Sequence, residues 1–197
     1  MAKRIIPDQC FGVLIDVQEF FLSGVDKSLR PKLKTNAKHF VRLLGYFRIP
    51  LVVTLERPVV HKGRLPKEIK RQLGHHAQVF EKDYFDLAKD GEIRAQIERL
   101  RKKQAIIAGC ETDVCVLQSC LGLLDLGYEV FLVEELLFSS SRNVDAAIAR
   151  MQAAGAVFLS YKSLYYELVE AVDGGPHWEE RRQALGPFPE DLPDTAA

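Results

Sequence analysis

The chain has 197 residues and 47% apolar content, which is typical of a single domain built around one hydrophobic core. Acidic and basic residues number 27 each, and this balance argues against a surface that binds nucleic acid or an anionic membrane. The longest apolar run, 130–138, is too short to cross a bilayer and is interrupted by Glu134 and Glu135.

Short apolar runs alternate along the chain with segments in which apolar residues recur at helical spacing. The short runs predict strands at 11–17, 49–55, 78–80, 105–108, 129–133 and 156–159. The periodic segments predict helices at 33–47, 66–73, 92–102, 113–126, 144–154 and 163–171. This alternation predicts an α/β fold, a three-layer αβα sandwich around a six-stranded, mostly parallel sheet.

The predicted domain covers residues 1–173. From Gly174 onward glycine and proline are frequent and apolar residues are few, which predicts an extended C-terminal tail over 174–197. Such a tail could pack on a neighbouring subunit.

Polar residues lie at or just beyond the carboxyl ends of three predicted strands. Asp16 lies near the C-terminal end of the first strand, Lys82 follows the third, and the turn before Cys115 follows the fourth. Parallel sheets bind ligands at this edge, so we expect the three side chains to lie close together. Asp16 and Lys82 also have non-catalytic explanations. Asp16 could accept hydrogen bonds in a turn, and Lys82 could be a solvated surface lysine. Together they supply a base and a cation beside a thiol, the components of nucleophilic catalysis.

Cys115 is the candidate nucleophile. With Thr112 or Asp113 as N-cap, it falls in the first turn of the predicted helix, where the helix dipole favours an anion. We therefore expect the pKa of this thiol to be lowered. The alternative is a buried structural thiol, because free cysteine is among the most buried residue types.

Other classes of site lack their characteristic residues in the sequence. The turn after the first strand has no glycines to hold a phosphate, and no Cys-x-x-Cys pair occurs. Leu121 stands where a cysteine phosphatase needs an arginine. His61, His75 and His76 have no metal-ligand spacing with acidic partners, so we expect no metal site.

The cellular location is inferred from the amino terminus. Lys3 and Arg4 precede an apolar stretch that Asp16 cuts short, so we expect no signal peptide. The four cysteines are then expected to be reduced thiols in a cytoplasmic protein.

Several motifs occur in a characteristic order along the chain. They are D-V-Q-E-F at 16–20, Lys82, G-C-E-T-D-V-C-V at 109–116, L-L-D-L-G-Y-E-V at 123–130 and R-M-Q-A-A-G-A-V at 150–157. Over 11–168 the chain thus resembles the isochorismatase-like, or cysteine hydrolase, superfamily. The last two motifs look most like its isochorismatase-domain-containing branch.

The resemblance implies a parallel six-stranded sheet between helix layers and a catalytic Asp–Lys–Cys triad, which maps onto Asp16, Lys82 and Cys115. It also implies a cis peptide bond between Cys110 and Glu111. That bond would direct the N–H groups of Glu111 and Cys115 to one point, forming an oxyanion hole. The resemblance further implies a homo-oligomer that works without a cofactor.

The chain departs from some members of the superfamily. Nicotinamidases bind a metal through an Asp-x-His pattern after the second strand, but 54–58 reads T-L-E-R-P, so that activity is disfavoured. The Ser-x-Phe pattern that is common after the lysine is missing, so this pattern does not identify the residues of the substrate wall. True isochorismatases, which cleave a vinyl ether, lack the cysteine present here as Cys115. The candidates for the substrate pocket are Phe20, Tyr84, Phe85 and Thr112.

The leading hypothesis is a hydrolase of a small amide or related C–N bond that needs no cofactor. Asp16 would take the thiol proton, pass it to the leaving amine and then activate water, while Lys82 stabilises the thiolate. Cys115 would form a thioester. One alternative is a catalytically silent binding or scaffold protein that keeps the fold. Another is a hydrolase of a non-amide ester or carbamate.

Overall fold

The computed structural model describes residues 3–186 and 188. Its strands are β1 Cys10–Ile15, β2 Leu51–Glu56, β3 Ala77–Lys82, β4 Gln104–Cys110, β5 Glu129–Phe138 and β6 Val157–Leu159. They form one sheet in the order β3-β2-β1-β4-β5-β6, and every adjacent pair is parallel. The predicted α/β fold with a six-stranded sheet is confirmed.

Helices connect consecutive strands, and the last two helices follow β6. They are α1 Glu19–Gly24, α2 Arg30–Tyr46, α3 Val59–Lys62, α4 Lys67–Lys70, α5 Gly91–Leu100, α6 Leu117–Asp125, α7 Asp145–Ala153, α8 Tyr161–Val169 and α9 Trp178–Leu185. A π-helical turn, Thr112–Val116, leads into α6. Short 3-10 turns occur at Pro7–Gln9 and Leu87–Lys89.

The hydrophobic core has two parts, one on each face of the sheet. Successive side chains of a strand point to opposite faces, so Leu14 of β1 packs in one part and Val13 in the other. The first part contains Phe40 of α2 and the second contains Leu123 of α6. Burial on both faces explains why β1 is a continuous apolar run.

Strand β5 is longer than the sequence predicts. The sequence predicts that the strand ends at 133, because Glu134 and Glu135 interrupt the apolar run. In the structure the register shifts, so that Ile107 pairs with Leu132 while Gly109 pairs with Leu137. The irregularity accommodates the two acids, and Glu135 accepts a hydrogen bond from the Tyr161 backbone N–H at 2.8 Å.

The prediction of an extended tail over 174–197 is wrong for 178–185, which form α9. This segment consists mainly of good helix formers, whose preference outweighs the glycines and prolines around it. Helix α9 lies against α2, where the Arg42 side chain donates a hydrogen bond to the Ala184 carbonyl oxygen at 2.8 Å. Residues 187 and 189–197 lie outside the described residues. The short helices α1 and α3 were also missed by the sequence analysis.

The order of the strands places a crevice between β1 and β4. From β1 the chain continues to β2 and β3 on one side, whereas from β4 it continues to β5 and β6 on the other. Ligands bind at such a switch point, beyond the carboxyl ends of the strands. Gly109 lets the two strands end close together, because its φ is +126° and a Cβ there would lie 2.0 Å from the Ile15 carbonyl oxygen.

Within the described part of the chain, no helix has both the length and the apolar content that crossing a bilayer requires.

Candidate active site

Asp16 lies immediately after β1 in the crevice, and its side chain is completely buried. Its backbone has a left-handed φ of +50°, which marks the sharp end of the strand. The Thr54 hydroxyl donates a hydrogen bond to Oδ1 at 2.7 Å, and Lys82 Nζ lies 2.8 Å from Oδ2. Burial raises the pKa of Asp16, although the Lys82 charge opposes the shift.

Lys82 is the last residue of β3, and its ammonium is buried among acceptors. Nζ donates hydrogen bonds to the Tyr84 carbonyl oxygen at 3.1 Å and to Cys115 Sγ at 3.5 Å. It also lies 3.6 Å from Glu56 Oε2. Burial alone would lower the pKa of Lys82, but the charge of Asp16, its hydrogen bond with the ammonium and the charge of Glu56 outweigh burial and raise it.

Cys115 lies in the π-helical turn that precedes α6. The predicted N-caps, Thr112 and Asp113, are wrong because Glu111 is the residue before the first helical position. The carboxylate of Asp113 instead accepts hydrogen bonds from the hydroxyls of Ser139 and Ser141, each at 2.6 Å. A serine loop after β5 thus holds the turn that carries Cys115.

The predicted lowering of the Cys115 pKa is also wrong. The residue is only 2% exposed, and burial raises the pKa of its thiol. Asp16 raises it further, and the Lys82 ammonium compensates only in part. The thiol is therefore protonated at rest, and it donates a hydrogen bond to Glu56 Oε2 at 3.0 Å.

Glu56 is a site residue that the sequence analysis missed. It is the last residue of β2 and pairs in register with Lys82. The strand-end rule that selected Lys82 applies equally to Glu56 and could have found it. Burial alone would raise the pKa of Glu56, but hydrogen bonds from Lys62 and Cys115 and the Lys82 charge hold it below its usual value.

These groups form one cluster of charges. A carboxylate oxygen of Asp16, one of Glu56 and the Cys115 sulfur lie within 4.8 Å of one another. The Lys82 ammonium lies within 3.6 Å of all three residues, so the chain itself supplies a cation to them. Such a cluster can ionise a thiol, accept its proton and stabilise the resulting thiolate.

The turn between β4 and Cys115 has the backbone geometry that the resemblance implies. The peptide bond between Cys110 and Glu111 is cis. Cys110 is buried, and its thiol donates a hydrogen bond to the Asp16 carbonyl oxygen at 3.0 Å. The oxyanion hole at the N–H groups of Glu111 and Cys115 stays a prediction.

The candidate substrate-pocket residues differ in exposure. Phe20 of α1 is 54% exposed, and Tyr84 and Phe85, which follow β3, are 53% and 50% exposed. Thr112 is buried. The Tyr84 carbonyl oxygen accepts a hydrogen bond from Lys82 Nζ, and the Phe85 carbonyl oxygen accepts one from the Ser119 hydroxyl of α6. Their role as a substrate wall stays a prediction.

Replacing Thr54 with valine should destabilise the protein by about 1.5–3 kcal/mol, the usual range for a hydrogen bond to a charged group. Valine has the same shape but leaves the buried Asp16 carboxylate without a donor that now lies at 2.7 Å. Urea unfolding checks the prediction, with Thr54→Ser as the control that keeps the hydroxyl. Equal stability of the valine and serine variants would contradict it.

Comparison with known proteins places the chain in a family. The family model described as "Isochorismatase domain" matches residues 11–163. The chain belongs to the isochorismatase family. A curated relative, the secreted isochorismatase effector Isc1 of Phytophthora sojae, is 32% identical over 180 residues, which cover 89% of this chain and 84% of the relative. The resemblance noted in the sequence is thus confirmed.

Solved structures of similar proteins share the fold. The MAR1 ribonuclease from Caenorhabditis elegans has a TM-score of 0.85 at 25% identity, covering 98% of this chain and 96% of its own. The YcaC gene product of Escherichia coli, described as an octameric hydrolase of unknown specificity, has a TM-score of 0.83 at 25% identity. It covers 94% of this chain and 88% of its own.

Proposed function

We propose that this isochorismatase-family protein hydrolyses a small amide or a related C–N bond through a thioester on Cys115. The observation that carries the proposal is the buried contact of one ammonium, Lys82 Nζ, with Asp16 at 2.8 Å, Cys115 Sγ at 3.5 Å and Glu56 at 3.6 Å. A structural thiol has no need of a buried cation and two carboxylates, each of which costs free energy to bury.

Acylation begins when a carboxylate beside the sulfur takes the thiol proton. The Cys115 thiolate, stabilised by Lys82, attacks the amide carbon, and the carbonyl electron pair moves to oxygen. The N–H groups of Glu111 and Cys115 are the proposed donors to this oxyanion. The C–N bond then breaks, and the stored proton goes to the leaving amine.

Deacylation returns the site to its starting state. Asp16 removes a proton from a water molecule, which attacks the thioester carbon. The C–S bond breaks, the carboxylic acid leaves, and Asp16 returns its proton to the Cys115 sulfur. Thr54 and Lys82 hold the Asp16 carboxylate in place for this role, at 2.7 and 2.8 Å.

A panel of substrates tests which bond is cleaved. It should contain small aliphatic and aromatic amides, the matching esters and carbamates, and a single-stranded RNA. We expect release of amine from at least one amide. Turnover of esters or carbamates alone would replace the amide proposal, and no turnover with a stable specific partner in pull-downs would favour a scaffold. Cleavage of the RNA would mean that this chain shares the activity for which its C. elegans relative is named.

The balanced charge, 27 acidic and 27 basic residues, supports a small-molecule substrate over nucleic acid. We also propose a homo-oligomer, because the YcaC relative is described as octameric.

A cytoplasmic location remains our proposal from the free thiols of Cys10, Cys110, Cys115 and Cys120. The Phytophthora relative is described as secreted. Fractionation of cells that express the chain therefore tests the location.

A further inference from the structure

The carboxylates of Glu56 and Asp16 have different hydrogen-bond partners at rest. The Cys115 thiol donates its hydrogen bond to Glu56 Oε2 at 3.0 Å. Asp16 instead accepts from the Thr54 hydroxyl at 2.7 Å and pairs with Lys82 at 2.8 Å. The proton that must leave the sulfur before it can attack thus already points at Glu56.

Glu56 is held firmly in this position. The Gln18 side chain bonds its backbone on both sides, accepting from the Glu56 N–H at 2.7 Å and donating to its carbonyl oxygen at 3.2 Å. The same amide donates to the Gly63 carbonyl oxygen at 2.8 Å, which ties the loop after α3 to the strand end. Lys62 binds the other carboxylate oxygen, Oε1, so Oε2 stays directed at the sulfur.

We infer that Glu56 is a further catalytic residue, the base that takes the proton of the Cys115 thiol. The inference rests on the proposed cysteine chemistry and divides the proton transfers between two carboxylates. In acylation the S–H bond breaks, an O–H bond forms on Glu56, and the sulfur electron pair makes the new C–S bond. When the C–N bond breaks, Glu56 returns this proton to the amine nitrogen, so it ends acylation ionised. Asp16 then serves the attacking water.

The charges around Glu56 suit this role. The titratable groups facing it from the neighbouring elements are Asp16, Lys62, Lys82, Cys110 and Cys115. Burial works against ionisation of Glu56, but the bonds from Lys62 and Cys115 and the Lys82 charge lower its pKa, so it is ionised near neutral pH. The Asp16 carboxylate is already engaged by the Lys82 ammonium at 2.8 Å and the Thr54 hydroxyl at 2.7 Å, whereas the Cys115 thiol contacts Glu56.

The test measures how the alkylation rate of Cys115 by iodoacetamide depends on pH, because this reaction reports thiolate without any substrate. In the wild type we expect the rate to rise as Glu56 ionises and then to stay level through neutral pH. Glu56→Gln should lose the level region and react about 100-fold more slowly at neutral pH, within the usual range for a lost acid–base group. Glu56→Asp should recover part of the rate, and Asp16→Asn should keep the level region.

A second variant tests the role of Glu56 as the base and leaves Glu56 and Cys115 themselves unchanged. Lys62→Met removes a cation that lowers the pKa of Glu56, so the rising limb of the profile should move to higher pH. A purely structural Glu56 would leave the position of this limb unchanged. Unfolding midpoints are recorded for each variant, and if Glu56→Gln fails to fold, Glu56→Asp and Lys62→Met decide the outcome.

Two results would overturn the inference. One is a level region that survives in Glu56→Gln but disappears in Asp16→Asn, which would make Asp16 the base. The other is faster alkylation of Glu56→Gln at every pH, which would mean that Glu56 only opposes ionisation of the thiol. A failed amide panel with the expected alkylation profiles would instead reject the amide chemistry and leave the assignment of the base intact.

Discussion

Replacing Cys115 with alanine should reduce amide hydrolysis by about 10⁴-fold or more, because the variant cannot form the thioester. The fold should be kept, since the side chain is small and lies in the helical turn that the serine loop holds through Asp113. Initial rates of amine release, measured on the best amide of the panel, check this prediction.

Cys120→Ala is the matched control for this experiment. Cys120 lies on α6, is fully buried, and burial raises its pKa to about 12. It makes no contact with the charge cluster among the described hydrogen bonds, so its loss should leave the specific activity near that of the wild type. Comparable loss in both variants, or residual turnover above about 10% in Cys115→Ala, would contradict Cys115 as the nucleophile.

Replacing Lys82 with methionine should destabilise the protein by about 3–5 kcal/mol, the usual cost of removing one partner from a buried ion pair. The variant leaves the Asp16 and Glu56 carboxylates buried without the ammonium that now lies 2.8 and 3.6 Å from them. The thermal unfolding midpoint should fall by about 10 °C, and hydrolysis should be lost with the cation. Differential scanning calorimetry measures the first effect.

The stability that Lys82→Met loses should depend on pH in one direction. Without Lys82, the pKa of buried Asp16 rises further above its unfolded value, so the folded state binds a proton that the unfolded state has released. Stability of the variant should therefore fall as pH rises from the unfolded pKa of Asp16 to its folded pKa. The loss of stability relative to the wild type should be smaller at low pH. Lys70→Met, on the exposed side of α4, is the control and should change stability little. A deficit that does not depend on pH would contradict the account.

The sequence predicts the fold from the alternation of strands and helices, and it predicts most of the candidate site from the residues at the strand ends. Asp16, Lys82 and the turn before Cys115 each follow an apolar run, and parallel strands bring such positions to one edge. Glu56 satisfies the same rule, but in the sequence it stands out only as a departure from a metal-binding pattern. Its bond to the Cys115 sulfur depends on side-chain directions across β2 and the helical turn, which spacing along the chain does not contain.

The pKa of Cys115 could not be predicted from position on a helix alone. The helix end favours a thiolate, but loss of hydration and the proximity of Asp16 depend on tertiary packing and outweigh it. The C-terminal helix α9 was missed for a related reason. Its residues are good helix formers, but the segment is polar on most sides and lacks the apolar spacing that predicts a packed helix, and its packing against α2, as in the contact of Arg42 with Ala184, is tertiary.

The most direct test of the account is to trap the acyl-enzyme by rapid acid quench during turnover and to locate the added mass. Trypsin releases Cys110, Cys115 and Cys120 in one peptide, 104–142, so fragment ions must assign the site. The account predicts an addition equal to the acyl group, bound to Cys115 and absent from Cys115→Ala. An acyl group on another residue, or turnover at full rate with no adduct on this peptide, would contradict it.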